Sequence, residues 1–153
     1  MTVEFVSKQE KEKIIEKLKE QYGIERLPFL LVKSGKEKVR CFNGILSKEE
    51  ISKLSREVRV ETIGLYFAAL HEDGIRISLD AAHILNEQIS KNIIEVNDEK
   101  ADEWFKGNDA EIDNKEEKKG FVIVRNNQDI IGIGKCSGKN IKNFLPKERR
   151  VKC

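Results

Sequence analysis

The sequence predicts an α+β fold: a mixed α/β N-terminal domain followed by a small β pseudo-barrel. Three observations lead there. Residues before about 88 alternate between short helical spacings and strand-like runs. From Asn92 the texture changes to short apolar strands separated by turns, the pattern of a small barrel. The 153 residues suffice for one ordinary domain or two small ones sharing an interface. The change of texture near 85–91 places the boundary, giving an α/β unit over 1–88 and a barrel unit over 89–153.

Each element has its own reason. In "SKQEKEKIIEKLKEQY" (7–22), Ile14, Ile15, Leu18 and Tyr22 recur at helical spacing. Ser7 and Glu10 form a capping-box pair, and Gly23 stops the helix. "PFLLVKS" (28–34) and "KVRCFN" (38–43) flank Gly35 and read as a hairpin. Ser47 and Glu50 cap a short helix to about Ser55. "VRVETIGLYFAAL" (58–70) and "GIRIS" (74–78) form a second hairpin across the turn "HEDG". Ser78 or Asp80 opens a helix through about Gln88, with Ala82, Leu85 and Ile89 inward. "NIIEV" (92–96) is a short strand, and Asp98 caps a helix over Glu99–Phe105 that ends at Gly107. Residues 108–119 are an acidic loop. "GFVIVRNN" (120–127) and "DIIGIGKC" (129–136) are strands around a tight Asn-Asn-Gln turn. "RRVK" (149–152) is expected to close the barrel.

Charge is distributed unevenly. The net charge of +2 combines a basic end with an acidic body. Residues 135–153 carry seven cations (Lys135, Lys139, Lys142, Lys147, Arg149, Arg150, Lys152) and one acid, Glu148. Residues 95–119 carry ten acids against five lysines. A basic end on an acidic body points to a polyanionic partner met at one surface.

Several chemistries are excluded. The three cysteines (Cys41, Cys136, Cys153) form no CxxC, so neither a disulfide framework nor a zinc site is indicated. A phosphate loop needs GxxxxGK followed by Ser or Thr. Here five residues separate Gly132 from Gly138-Lys139, three separate Gly134 from it, and Asn140 follows. The same stretch is one residue off the dinucleotide fingerprint and has no βαβ unit around it. His83 and Glu87 share a helix face without a third metal ligand. Lys135 beside Cys136 could lower the thiol pKa, but no general base accompanies it, and Cys136 ends an apolar strand. No cofactor and no catalytic residue is expected. No membrane-length apolar run and no N-terminal apolar signal segment is present, so a cytoplasmic protein is expected.

The basic end has the residue types that bind RNA. Lysines and arginines neutralise phosphates, while amides and aromatic rings contact exposed bases. Glycines 132, 134 and 138 are expected to leave the backbone bare there. Asn140 and Asn143 add neutral donors, and Phe144 adds a stacking face. Leu145 and Val151 argue that the stretch is packed.

The order of "EKADEWFKGNDAE" and "GFVIVRNNQDIIGIGKCSGKNIKNFLPKERRVK" resembles a PUA domain, a small RNA-binding pseudo-barrel. "KNFLPKERR" (142–150) resembles more narrowly the PUA-like tail of Fmu/Sun/RsmF-type RNA cytosine-5 methyltransferases, where a Lys-Asn-x-x-Pro-Lys-x-x-Arg pattern recurs. "VETIGLYFAALHEDGIRISLDAAHIL" (60–85) is similar to the domain preceding PUA in Nip-type ribosome-biogenesis factors. Those methyltransferases carry a cofactor-binding glycine loop and a cysteine nucleophile after proline. The cysteines here follow Arg40, Lys135 and Lys152, so the resemblance implies RNA handling without the catalytic engine.

The resulting expectation is a stand-alone RNA-binding protein acting in ribosome biogenesis or in rRNA or tRNA modification, and not an enzyme. Its RNA contacts are expected at Arg125, Lys135, Lys139, Lys142, Asn143, Lys147, Arg149 and Arg150. A second class is a protein-interaction module or accessory subunit for an RNA methyltransferase or assembly factor, using the acidic 95–119 face and the basic end. A third, an enzyme, would require a bound metal or nucleotide.

Overall fold

The computed structural model describes residues 3–60 and 62–151. Helix α1 (Lys8–Tyr22) starts at the expected box: Ser7 Oγ accepts from the Glu10 N–H at 3.1 Å, and Glu10 reaches back to the Ser7 N–H. Gly23, with φ 84°, ends it, and Ile14, Leu18 and Tyr22 are its buried side chains. Strands β1 (Leu30–Ser34) and β2 (Lys38–Phe42) form the hairpin across Gly35. Helix α2 (Lys48–Glu57) has a second capping box, Ser47 with Glu50.

Strand β3 (Leu65–His71) begins later than the expected Val58. The Val58 N–H instead closes α2 by donating to the Leu54 carbonyl, and Gly64 turns the chain at φ 78° before the strand enters. Glu61 lies outside the described residues. β4 (Gly74–Ile77) completes a four-stranded antiparallel sheet in the order β1-β2-β3-β4. Ser78, rather than Asp80, caps α3 (Leu79–Ile84), which passes into a 3-10 turn at Asn86–Gln88.

The second sheet contains β5 (Ile93–Glu95), then, after α4 (Asp98–Phe105), β6 (Ala110–Glu111), β7 (Gly120–Asn126), β8 (Asp129–Ser137) and β9 (Asn140–Asn143). Asn97, not Asp98, caps α4. The order is β5-β7-β8-β9-β6, with only the β5–β7 pair parallel, and the sheet curls into a half-barrel. The fold is therefore α+β with a PUA-like pseudo-barrel following the first sheet. The β7–β8 turn has Asn127 and Gln128 at φ 49° and 73°, the twist that a two-residue hairpin requires.

Two elements depart from expectation. The strand expected at 149–152 is a 3-10 turn over Lys147–Arg149, and Lys152 lies outside the described residues. Pro146 has no N–H to give a ladder, and the Val151 N–H goes to the Phe105 carbonyl at the end of α4. The ladder beside β8 is taken by β9, and the acidic loop supplies β6 as the next edge.

Strand β7 explains how the two sheets meet. Side chains alternate across a strand. Phe121 and Ile123 join a core built from α1, the first sheet and α3; Val122 and Val124 face a second core around Trp104, Ile141 and Leu145. Burial on both faces is why "FVIV" reads as an unbroken apolar run. Ile130 and Ile133 of β8 also enter the first core. Polar contacts tie the same seam: Lys135 Nζ to Asp73 at 2.6 Å, Arg149 to Asp80 at 2.7 Å, and His83 Nε2 to the Ile130 carbonyl at 2.8 Å. Among the described residues no helix is long and apolar enough to cross a membrane.

Candidate nucleic-acid interface

The basic end is built on the β8–β9 hairpin. Cys136 and Ile141 face the second core, so their neighbours Lys135 and Lys142, register partners, face the other way, toward the first sheet. There they meet aromatic rings. Lys135 Nζ lies 5.3 Å from the Phe121 ring centre and Lys142 Nζ 5.6 Å from that of Phe144. Phe121 and Phe144 are 6.1 Å apart, and Arg76 of β4 lays its guanidinium 4.5 Å from the Phe144 ring. These distances are those of cation–π contacts. Phe144 thus carries cations from both sheets.

Beside Phe144 a cleft of ≈ 210 Å³ opens between the sheets, lined by Tyr66, Arg76, Gly132, Phe144, Pro146 and Arg149, among others. The Tyr66 hydroxyl is buried and has no hydrogen-bond partner among the described residues. Lys38 lies over the Tyr66 ring at 5.8 Å.

Residues 91–151 match the methyltransferase RsmF PUA domain. The chain is also similar to ribosomal RNA small subunit methyltransferase F of Vibrio cholerae serotype O1 (strain M66-2), at 33% identity over 103 residues, covering 67% of this chain and 22% of that protein. The enzyme of the same name from Aliivibrio salmonicida (strain LFI1238) is 36% identical over 100 residues, covering 65% and 21%. That of Vibrio vulnificus (strain YJ016) is 36% identical over 92 residues, covering 60% and 19%. The chain spans about a fifth of the length of these curated relatives. A likeness over 103 residues cannot fit within 91–151, so it continues into the first sheet's part of the chain.

Within the PUA-like unit the expected contact residues divide. Lys139 stands at the tip of the β8–β9 turn, exposed, with Lys118 and Lys119 across a shallow depression. Lys147 is exposed on the 3-10 turn. Lys139, Lys142 and Lys147 have no carboxylate partner among the described residues. Lys135 and Arg149 are shared with Asp73 and Asp80 of the first unit. Asp73's carboxyl is held below its ordinary pKa, chiefly by the Lys135 hydrogen bond. Arg125 lies toward the opposite end of the β7–β8 ladder and pairs with Glu95. Arg150 folds back: its Nε donates to the Leu145 carbonyl at 3.0 Å, and its chain packs on Gly107.

Asn143 requires a correction. It is 7% exposed, and its amide is fully used inside the protein. Its nitrogen donates to the carbonyls of Trp104 at 2.8 Å and Asn108 at 2.9 Å, and its oxygen accepts from the Leu145 N–H at 2.7 Å. It was expected to donate hydrogen bonds to RNA, but it shares the inward face of β9 with Ile141 and donates instead to carbonyls at the end of α4.

The glycines are corrected too. A methyl group on Gly132 would collide with the Trp104 indole nitrogen, and one on Gly134 with Ile141. Both glycines therefore seat the indole of Trp104 against β8, and only Gly138 stands open in a turn at φ 61°. Cys136 is buried, and burial pushes its thiol pKa up; the cation that partly opposes this is Lys118, while Lys135 points to the other face.

Sequence reasoning missed Arg76, Tyr66 and Lys38. The alternation of "GIRIS" placed Arg76 opposite the buried Ile75 and Ile77. It carried no sign that Phe144, far along the chain, would lie under it.

Proposed function

We propose that this chain binds RNA through the cationic side of its PUA-like unit and serves ribosome biogenesis or rRNA or tRNA modification, without performing catalysis itself. The observation that carries the reading is the set of exposed lysines, Lys139, Lys142 and Lys147, left without carboxylate partners among the described residues, while several acids of the same unit are taken up elsewhere. Glu95 pairs with Arg125, Glu103 with Lys106 and Asn108, and Asp109 accepts from the Asn143 N–H. The match to an rRNA methyltransferase's PUA domain supports RNA as the polyanion. Arg125 and Arg150, held by their own partners, contribute charge at a distance; Lys135 and Arg149 contribute from the seam.

The test is equilibrium binding of the purified chain to RNA across a salt series, with DNA of matched length as control. Affinity falls as salt rises because phosphate binding releases counterions. Replacing Lys139, Lys142 and Lys147 together by Ala lowers the slope of log affinity against log salt by up to about 2, taking roughly 0.7 per phosphate on a single strand. A slope unchanged by the triple replacement removes this surface from the reading.

A second reading, an accessory subunit that also contacts protein, is favoured by one feature. Ile45, Leu54, Val58 and Leu65, on and around α2, are exposed at 99%, 43%, 52% and 40%. If this patch contacts protein, Leu54→Ser and Val58→Ser abolish capture of a purified partner while RNA affinity stays as in the wild type. Loss of RNA affinity in the same variants would refute that division of labour.

A further inference from the structure

We propose that the cleft between the two sheets receives one unpaired RNA base, so that the first unit takes part in recognition rather than only supporting the PUA-like unit. This rests on the RNA-binding reading above and specifies where a base goes. Four observations carry it.

The cleft has the right size and walls. A cavity of about 150 Å³ accepts benzene, and this one measures ≈ 210 Å³. Its lining combines aromatic rings, Tyr66 and Phe144, with aliphatic Ile77, Ile133 and Leu145. Aromatic faces stack on any base.

One of the lining residues has an unused polar atom. Buried hydroxyls almost always find a partner, and the Tyr66 hydroxyl has none among the described residues. It can both donate and accept, which suits the mixed donor and acceptor edge of a base.

Its charge is arranged for a nucleotide. Arg76 holds its guanidinium carbon 4.5 Å from the Phe144 ring centre with no carboxylate partner among the described residues, and Lys142 and Lys38 stand over the two rings. The acids in the lining are Asp80 and Glu148. Asp80 is paired with Arg149, so it does not present a free charge to a phosphate. The base enters between the rings, and the flanking phosphates meet Lys142 and Lys38.

The cleft belongs to both units. Tyr66, Arg76 and Asp80 come from the first sheet and α3; Gly132, Phe144 and Arg149 come from the second. The likeness to the relatives likewise reaches upstream of the PUA-like unit.

The experiment uses the full chain and two probes: a short single-stranded RNA of mixed sequence, and the same ribose-phosphate strand with its bases removed. Tyr66→Phe deletes only the hydroxyl, and Arg76→Gln keeps most of the stem. Wild-type protein is expected to bind the intact strand about tenfold more tightly than the abasic one, in line with the stacking energy of one base. Tyr66→Phe keeps the ring and is expected to lose only the share of that difference supplied by the hydroxyl's hydrogen bond, at wild-type affinity for the abasic strand. Arg76→Gln is expected to reduce the base preference and also to weaken both strands by removing a cation. Ultraviolet cross-linking of the intact strand should place the nucleotide adduct on Tyr66 or Phe144. Binding that is salt-dependent but equal for both strands, or a base preference untouched in both variants, overturns the cleft and leaves the RNA-binding reading standing. No binding of either strand at low salt overturns both.

Discussion

Asn143 shows how one side chain can hold a barrel closed. Its amide joins the end of α4, the β6 approach and the turn into Leu145. Asn143→Ala leaves the buried Leu145 N–H without its partner and removes one donor from the Asn108 carbonyl, while the Trp104 carbonyl keeps the Gly107 N–H. One buried group left unpaired costs about 1–3 kcal/mol, so the variant is expected to lose about that much in urea denaturation. An unchanged midpoint would mean that the network is not needed. Gly134→Ala tests the Trp104 seat. Over-packing of a filled core costs roughly 1–3 kcal/mol, and because the collision involves Ile141 and the Lys142 carbonyl, relief requires β9 to move. Both effects should appear as lower thermal midpoints with native circular dichroism at low temperature. Of these residue-level facts, the sequence displayed the apolar run around the glycines but not the indole that needs them.

Among the elements, the β3–β4 turn and β8 are joined by Asp73 and Lys135. The Asp73 pKa is depressed by this pairing, chiefly through the hydrogen bond. A carboxyl whose folded pKa lies below its unfolded value stabilises the fold above the unfolded value, about 3.9 for Asp, and loses that contribution as pH falls through the folded value. The wild type is therefore expected to lose more stability than Asp73→Asn on acidification below about pH 4. The two are compared by thermal melts across that range. Parallel pH profiles would show that the pair contributes nothing, as exposed pairs often do. The helices and hairpins were legible because their signals are local. Ser7 with Glu10, Ser47 with Glu50, Gly23 and the Asn127-Gln128 turn each fix an end within a few residues. The end of the chain was misread because "RRVK" resembles a strand, and only the position of Phe105 decided where the Val151 N–H would bond.

For the whole molecule, the shared core sets the behaviour. Phe121, Ile123, Ile130 and Ile133 of the second sheet are buried against α1, the first sheet and α3. Residues 89–153 alone would expose these side chains, each worth roughly 1.5–3 kcal/mol when buried. The full chain is expected to unfold in one transition, and a fragment starting at residue 89 is expected to be unstable or to associate. Calorimetry checks both: two separate transitions in the full chain would mean that the units hold themselves up independently.

The sequence by itself determined the capped starts of α1 and α2, the stop at Gly23, the hairpins and the concentration of cations after Gly134. These follow from capping chemistry, period-two alternation and composition, which act over a few residues. Only the tertiary structure decided which cations stay free and which are held. It paired Lys135 and Arg149 with Asp73 and Asp80, turned Asn143 inward, folded Arg150 onto Gly107, and brought Arg76 and Tyr66 beside Phe144. The physical reason is that ion pairing, stacking and burial depend on distance in space, and the packing of β7 and β8 against the first sheet sets those distances.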